Sequence, residues 1–356
     1  MKVCMTAGGT GGHIFPAIAL ADACKTASMD VFFIGNKDKM EALEVPKAGY
    51  PFFEIENKGY RGNLINKFNV LFGQFKAIHA ASKIIKKQRP DIVVAFGGYV
   101  TVPVVIAARL YKINVLIHEQ NAVAGKANIF LSRFVDGIAV SYPQSLAQFK
   151  HHDVRLIGNP RATVAHKSVF EENLIESMGL DPNKKTALIV MGSQGSESVN
   201  EVLKEFISNA SSSPHQFIIA TGRKHYREFV ENLIIPKNVI VTDFVDQIKL
   251  LSKIDLLIAR GGATSAAEML AKGVASIIIP SPYVPNNHQL HNAMALSEKG
   301  ASVCIEEKDL TSQKLLDQAN EILGNNQLRS TMASEAKALG LPDALDKMVD
   351  WVKEIV

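Results

Sequence analysis

A chain of 356 residues is too long for one ordinary compact domain and suits two of roughly 150 residues each. Hydrophobic residues at 47% and charged ones at 21% exclude disordered and collagen-like proteins. Three scattered cysteines (Cys4, Cys24, Cys304) exclude a disulfide framework or a thiolate metal cluster and suit a reducing cytoplasm. The net charge of +4 is modest, but between Glu56 and Asp91 eight Lys and Arg residues occur with no Asp or Glu. Such a block is either an ordinary solvated helix face or an attractor of an anionic surface, phospholipid or nucleic acid.

Lys2 precedes the first apolar run, yet Gly8, Gly9, Gly11, Gly12 and His13 interrupt any signal-peptide core, so this start reads as folded structure. No run of 18 apolar residues occurs, so nothing is expected to span a bilayer. Buried strands are predicted at Lys2–Met5, Val31–Ile34, Ile92–Ala95, Val115–His118 and Gly137–Val140. A second set follows at Ala187–Met191, Gln216–Thr221, Val239–Thr242, Leu256–Ala259 and Ser276–Ile279. Continuous apolar runs separated by helices indicate parallel α/β sheets covered on both faces, and two such sets indicate two doubly wound Rossmann-like domains. The boundaries are read as 1–160 and 161–340, with 341–356 a helix (apolar at Leu345, Met348, Val349, Val352 and Val356) that packs back on the first domain. Two such domains would place their glycine loops across one cleft, which suits a reaction joining two substrates.

The first loop, Gly8-Gly9-Thr10-Gly11-Gly12-His13, follows a strand and opens a helix. Without side chains its amides can approach a phosphate, although glycine turns after a first strand are also common as plain structure. His13 is the first candidate base, with helix capping or phosphate contact as its other reading. Phe96-Gly97-Gly98-Tyr99 and His118-Glu119-Gln120-Asn121 should gather at the same sheet edge. Arg161 and Ser193, beside glycine turns, offer donors for a diphosphate, with a surface Arg in an interdomain linker as the other reading of Arg161. Ser265-x-x-Glu268 after Gly261-Gly262 is either a capping box or a carboxylate placed for ribose hydroxyls. Asn286, Asn287, His288, Gln289 and Asn292 supply amides dense enough to read a sugar. No D-x-D metal motif or zinc spacing occurs, so no metal is expected.

Between Leu64 and Ile85, apolar residues at Leu64, Ile65, Phe68, Leu71, Phe72, Phe75, Ile78 and Ile85 fit one helical face among the lysines. Core packing explains part of this pattern. Shallow insertion of Phe68, Leu71, Phe72 and Phe75 into a membrane surface explains the missing acids better.

Taken in order, GGTGGHIFPAIALA, GGYVTVP, HEQNAVAG, GNPRA, GSQGS and the Gly261–Glu268 block leading to NNHQLHNA resemble the MurG family of N-acetylglucosaminyltransferases, from Gly8 to Ala293. The resemblance implies an α/β GT-B glycosyltransferase fold. It implies an inverting transfer of N-acetylglucosamine from UDP-GlcNAc to the muramyl 4-hydroxyl of undecaprenyl-linked lipid I, giving the β-1,4-linked lipid II of peptidoglycan synthesis. By the same resemblance Thr10, Gly11, Gly12 and Asn121 lie on the acceptor side, with His13 the general base or its neighbour. Arg161 and Ser193 meet the diphosphate, and Val245 reads uracil through its backbone. Ala263, Thr264, Ser265, Ala266, Ala267 and Glu268 hold phosphate and ribose, and Gln289 and Asn292 read the sugar. The partners implied are UDP-GlcNAc as co-substrate, lipid I, an anionic membrane surface and other cell-wall synthesis proteins, with no cofactor and no nucleic acid. The implied location is peripheral, on the cytoplasmic face of the cell membrane. Two departures, Arg161 directly after Pro160 and His288-Gln289 where some members carry Gln-Gln, resemble the Gram-positive branch. Related readings are a diacylglycerol glycosyltransferase, a UDP-GlcNAc epimerase and a non-catalytic nucleotide-sugar-binding subunit. The HEQN and GGYV segments favour the muramyl acceptor over the first two, and the completeness of both halves disfavours the third.

Overall fold

Runs of Val, Ile, Leu and Phe without alternation bury both faces of a strand, and helices must then cover both sides of the sheet. The computed structural model describes residues 1–57, 65–169, 172–192 and 195–356, with only the backbone of residues 65–72. The chain divides into two compact units, Met1–Thr163 with Pro342–Val356, and Val164–Leu341.

The first unit holds β1 (Lys2–Thr6), β2 (Asp30–Asn36), β3 (Phe52–Ile55), β4 (Ile92–Ala95), β5 (Asn114–Glu119), β6 (Gly137–Val140) and β7 (Val154–Leu156). They form one sheet in the order β3-β2-β1-β4-β5-β6-β7. Every pairing is parallel, with Val3 beside both Val31 and Ile92. The second unit holds β8 (Thr186–Val190), β9 (Gln216–Ala220), β10 (Val239–Thr242), β11 (Leu256–Ala259), β12 (Ala275–Ile278) and β13 (Ser302–Cys304). Their order is β10-β9-β8-β11-β12-β13, again parallel throughout.

Ten strands lie within two residues of the apolar runs that predict them. The three short strands missing from the reading, β3, β7 and β13, are the edges of their sheets or close the array. Only partly buried, they need no continuous apolar run.

In each sheet the order reverses once, between β1 and β4 and between β8 and β11. At such a switch point the loops leaving two neighbouring strands diverge to opposite faces and open a crevice at the carboxyl edge. The glycine-rich segments after β1, β4, β8 and β11 all leave the sheets at these two points.

The C-terminal helix Ala344–Ile355 belongs to the first unit, where its apolar face is buried. Trp351 is 1% exposed and packs so closely on Gly137 that a Cβ there would lie 2.4 Å from its ring. The Arg155 guanidinium sits 4.3 Å from the Trp351 ring centroid and makes two 2.8 Å bonds to Glu354. The Leu345 amide donates to Thr163 Oγ1 at 3.0 Å.

Candidate active site

After β1 the chain turns through Gly8 and Gly9 (φ +90°) into the helix Gly11–Thr26, with Thr10 as its extended N-cap. Gly98 (φ +89°) admits no side chain, since a Cβ there would lie 2.5 Å from the Gly8 carbonyl oxygen. The loops after β1 and β4 therefore meet backbone to backbone, and the Gly8 amide donates to the Gly97 carbonyl at 3.2 Å. The Gly9 amide donates to Glu41 Oε2, also at 3.2 Å. That leaves the amides of Thr10, Gly11 and Gly12 without an acceptor among the described residues. Unpaired N–H groups at a helix N-terminus suit an anion.

His13 follows directly on the same helix, half-buried. Its Nδ1 lies 2.9 Å from the Gly8 carbonyl oxygen. A carbonyl only accepts, so Nδ1 carries the proton and Nε2 is the basic nitrogen of the neutral ring. The ring rests on the Gly97 turn, where a Cβ would lie 3.1 Å from Nε2.

Glu119, 1% exposed, builds the next loop. Its Oε1 accepts from the amide and side chain of Asn121 at 3.0 and 3.1 Å. Its Oε2 accepts from Gly125 N at 2.9 Å and Asn128 Nδ2 at 2.8 Å. A carboxylate so committed shapes the backbone. His118, fully buried, donates from Nε2 to the Gly158 carbonyl at 2.8 Å, and burial pushes its imidazole down to about 4. It is a neutral structural residue that ties β5 to the turn after β7. In that turn Asn159 Oδ1 accepts from the Arg161 amide at 3.0 Å, and Arg161 lies in the first unit.

In the second unit the described part of the loop after β8 ends at Gly192 and resumes at Gly195; Ser193 lies outside the described residues. The helix Ala263–Lys272 starts after β11 with Gly262 as N-cap. Ser265 and Glu268 are thus both inside the helix, and the capping-box reading is excluded. The amides of Ala263, Thr264 and Ser265 have no acceptor among the described residues, and Thr264 Oγ1 is buried without a hydrogen-bond partner among them. Ala266 is buried, and Ala267 half-buried. Glu268, 4% exposed, accepts from Gln247 Nε2 at 2.9 Å.

Val245 stands between β10 and the helix Gln247–Leu251, its own N–H and C=O unpaired among the described residues. Gln289 Oε1 accepts from the Ser281 amide at 2.9 Å. Asn292 is fully buried and donates to the Gly261 carbonyl at 3.0 Å, holding the turn before the helix. A Cβ on Gly261 would lie 2.3 Å from the Gln289 carbonyl oxygen, so these two loops are in backbone contact. Asn286 and Asn287 have φ of 54° and 50°. Consecutive left-handed residues favour asparagine, so their presence has a conformational reason apart from sugar recognition.

Several residues that shape these loops went unmarked in the sequence: Glu41, Asn128, Gln247 and Glu307. Arg260 lies 2.6 Å from Glu307 Oε2 and donates to Ser196 Oγ, linking the end of β11 to the start of the helix Glu197–Ala210. Each partner is remote in sequence, and a single polar residue carries no local pattern that would reveal it.

The helix Ile65–Gln88 buries Ala77, Ala81 and Ile85, so Ile85 belongs to the core and not to an outward stripe. Phe75 is 64% exposed, with Lys76, Lys83, Lys86 and Lys87 also exposed. Phe68, Leu71 and Phe72 lie on this helix, but their side chains fall outside the described residues. No described helix is long and apolar enough to cross a membrane.

The glycosyltransferase family 28 N-terminal domain matches residues 3–140, and the family 28 C-terminal domain matches residues 186–348. The UDP-N-acetylglucosamine–N-acetylmuramyl-(pentapeptide) pyrophosphoryl-undecaprenol N-acetylglucosamine transferase of Halalkalibacterium halodurans is 41% identical over all of this chain and 99% of its own length. The enzyme of that description from Limosilactobacillus fermentum is 38% identical, again over 100% and 99%. Among solved structures, Acinetobacter baumannii MurG superposes with a TM-score of 0.80 at 30% identity, covering 99% of each chain. A Listeria monocytogenes putative UDP-N-acetylglucosamine 2-epimerase superposes at 0.67 with 14% identity, covering 99% of this chain and 96% of its own, which is likeness of fold alone. The two doubly wound units are those of a GT-B glycosyltransferase.

Proposed function

From the premise that this chain belongs to the MurG family within glycosyltransferase family 28, we propose that its first unit handles the lipid-linked acceptor and its second unit the sugar-nucleotide donor. The enzyme transfers N-acetylglucosamine from UDP-GlcNAc to lipid I, forming lipid II. The observation that carries the reading is full-length identity to such transferases, joined to unpaired helix-N-terminal amides beside the switch point of each sheet.

The muramyl 4-hydroxyl attacks the anomeric carbon with inversion. His13 Nε2 takes the proton of the attacking hydroxyl, with the ring held by Gly8. Thr10, Gly11 and Gly12 meet the acceptor pyrophosphate, and Asn121, held by Glu119, lines the same side. The UDP leaving group gathers negative charge as the glycosidic bond breaks. The amides of Ala263 to Ser265 and the dipole of their helix stabilise it, with Ser193 on the same diphosphate. Val245 pairs with uracil through its backbone, Glu268 with the ribose hydroxyls, and Gln289 with the sugar. Asn292 acts one step back, by holding Gly261.

These donors need no bridging cation. Purified enzyme should therefore transfer radiolabelled GlcNAc from UDP-GlcNAc to a short-chain lipid I analogue at an unchanged rate in EDTA. Loss of transfer with chelator and recovery with Mg²⁺ would overturn the metal-free part of the reading. No transfer at all, with or without metal, would overturn the rest.

The lipid tail of the acceptor stays in the bilayer, so the protein works at the cytoplasmic membrane surface. Exposed Phe75, among exposed lysines on the helix Ile65–Gln88, supports this helix as the contact. Each lysine near an anionic surface contributes about 1 kcal/mol, which added salt weakens. Wild-type protein should co-sediment with anionic vesicles at low salt and much less with zwitterionic ones. Phe75→Ser should reduce pelleting severalfold while a water-soluble acceptor is still turned over. Pelleting indifferent to lipid charge and salt would refute the surface contact.

A further inference from the structure

A buried polar chain runs from the first glycine loop to the helix Ile65–Gln88. Glu41, 1% exposed, accepts from the Gly9 amide with Oε2 and from the Asn36 amide with Oε1, each at 3.2 Å. The Asn36 side chain pairs with the backbone of Asn57 in both directions, Nδ2 to the Asn57 carbonyl at 2.8 Å and Asn57 N to Oδ1 at 2.7 Å. The Asn57 side chain then divides. Its Nδ2 donates to the Tyr99 carbonyl at 2.6 Å, and its Oδ1 accepts from Gln74 Nε2 at 2.7 Å. Asn57 is 5% exposed, and its amide, carbonyl, side-chain nitrogen and side-chain oxygen are all engaged.

Three separate segments thus converge on one residue: the loop after β4 that carries Tyr99 and the helix bearing Phe75 on its side chain, and the end of β2 on its backbone. An asparagine with every group paired and buried holds its neighbours to one geometry, because any displacement strands a donor or acceptor away from water. Gln74 Oε1 is itself buried without a partner among the described residues, so the tie from Gln74 to Asn57 runs through Nε2.

We propose that Asn57 is a positioning residue for the acceptor, setting the Gly8–Gly12 and Gly97–Tyr99 loops relative to the helix Ile65–Gln88. The proposal rests on the reading that the first unit handles the acceptor. Asn57→Asp is isosteric and removes the donor to Tyr99, whereas Gln74→Met removes only the link to the helix.

The experiment is steady-state kinetics of both variants with a short-chain lipid I analogue and UDP-GlcNAc, beside thermal melts. The KM for the acceptor should rise about tenfold in Asn57→Asp and a few-fold in Gln74→Met, with the donor KM within twofold of wild type. A lowered melting temperature with both KM values unchanged would make the chain merely structural and overturn the inference alone. A raised donor KM with an unchanged acceptor KM would overturn the acceptor reading of this unit, and the inference with it. Should Asn57→Asp fail to fold, Gln74→Met decides by the same criteria.

Discussion

Replacing His13 with alanine lowers kcat by about 10²–10⁴-fold and leaves the Kd for UDP-GlcNAc nearly unchanged, the range expected when a general base is removed. The motivating geometry is local. Nδ1 donates to the Gly8 carbonyl, which fixes the tautomer and leaves Nε2 as the basic nitrogen of the neutral ring. The same loop presents the Thr10, Gly11 and Gly12 amides, so an acceptor pyrophosphate bound there would bring its sugar close to this nitrogen. Stopped-time transfer assays give kcat, and calorimetric titration of donor gives Kd.

His118 does not confuse that test, because burial pushes it down to about 4 and keeps it neutral through the working range. Its native pKa lies below its unfolded one, so the unfolded chain takes up the proton first. Stability from this residue is present above about pH 6.5 and falls as pH drops towards 4. Points at the acid end therefore need a check of folding by circular dichroism. A drop of only a few-fold in His13→Ala would make His13 a positioning group. Glu119 would be a poor replacement, since four donors already occupy its two oxygens.

Glu268→Ala is expected to weaken donor binding by about 10–150-fold, the worth of a buried hydrogen bond to a charged group at 1.5–3 kcal/mol. Because the proposed ribose contact would be made both before and during transfer, KM for UDP-GlcNAc should rise while kcat changes little. Gly262 is the N-cap of the helix Ala263–Lys272, so the change removes no capping interaction. Gln247 donates to Glu268 Oε2 and orients the carboxylate, so Gln247→Ala should move donor Kd in the same direction by less. Donor titrations beside thermal melts decide the matter. A lowered melting temperature with an unchanged donor KM would refute the ribose role.

The interior strands were legible in the sequence because a strand buried on both faces must be apolar at every position, as Ile92–Ala95 and Leu256–Ala259 are. Edge strands such as Val154–Leu156 and Ser302–Cys304 escape that constraint and left no such signal. The glycine loops were legible too, since close backbone approach admits no side chain, as at Gly98 against Gly8. Ordered motifs along the whole chain carried the family.

Pairings between distant residues were decided by the tertiary structure alone. Ser265 and Glu268 have the spacing of a capping box, but the helix begins at Ala263, so both lie inside it. Ile85 and Phe75 fit one apolar stripe on a helical wheel, yet one is buried and the other is 64% exposed. Glu41, Asn57 and Gln247 act through partners 17 to 42 residues away, which only the packed sheet brings within hydrogen-bond reach. The sequence determined which segments are apolar, which turns must lack a side chain, and which chemistry-bearing residues follow them. Which polar groups would find each other depended on how strands and helices stacked, because a hydrogen bond is decided by position in space and leaves no periodic trace along the chain.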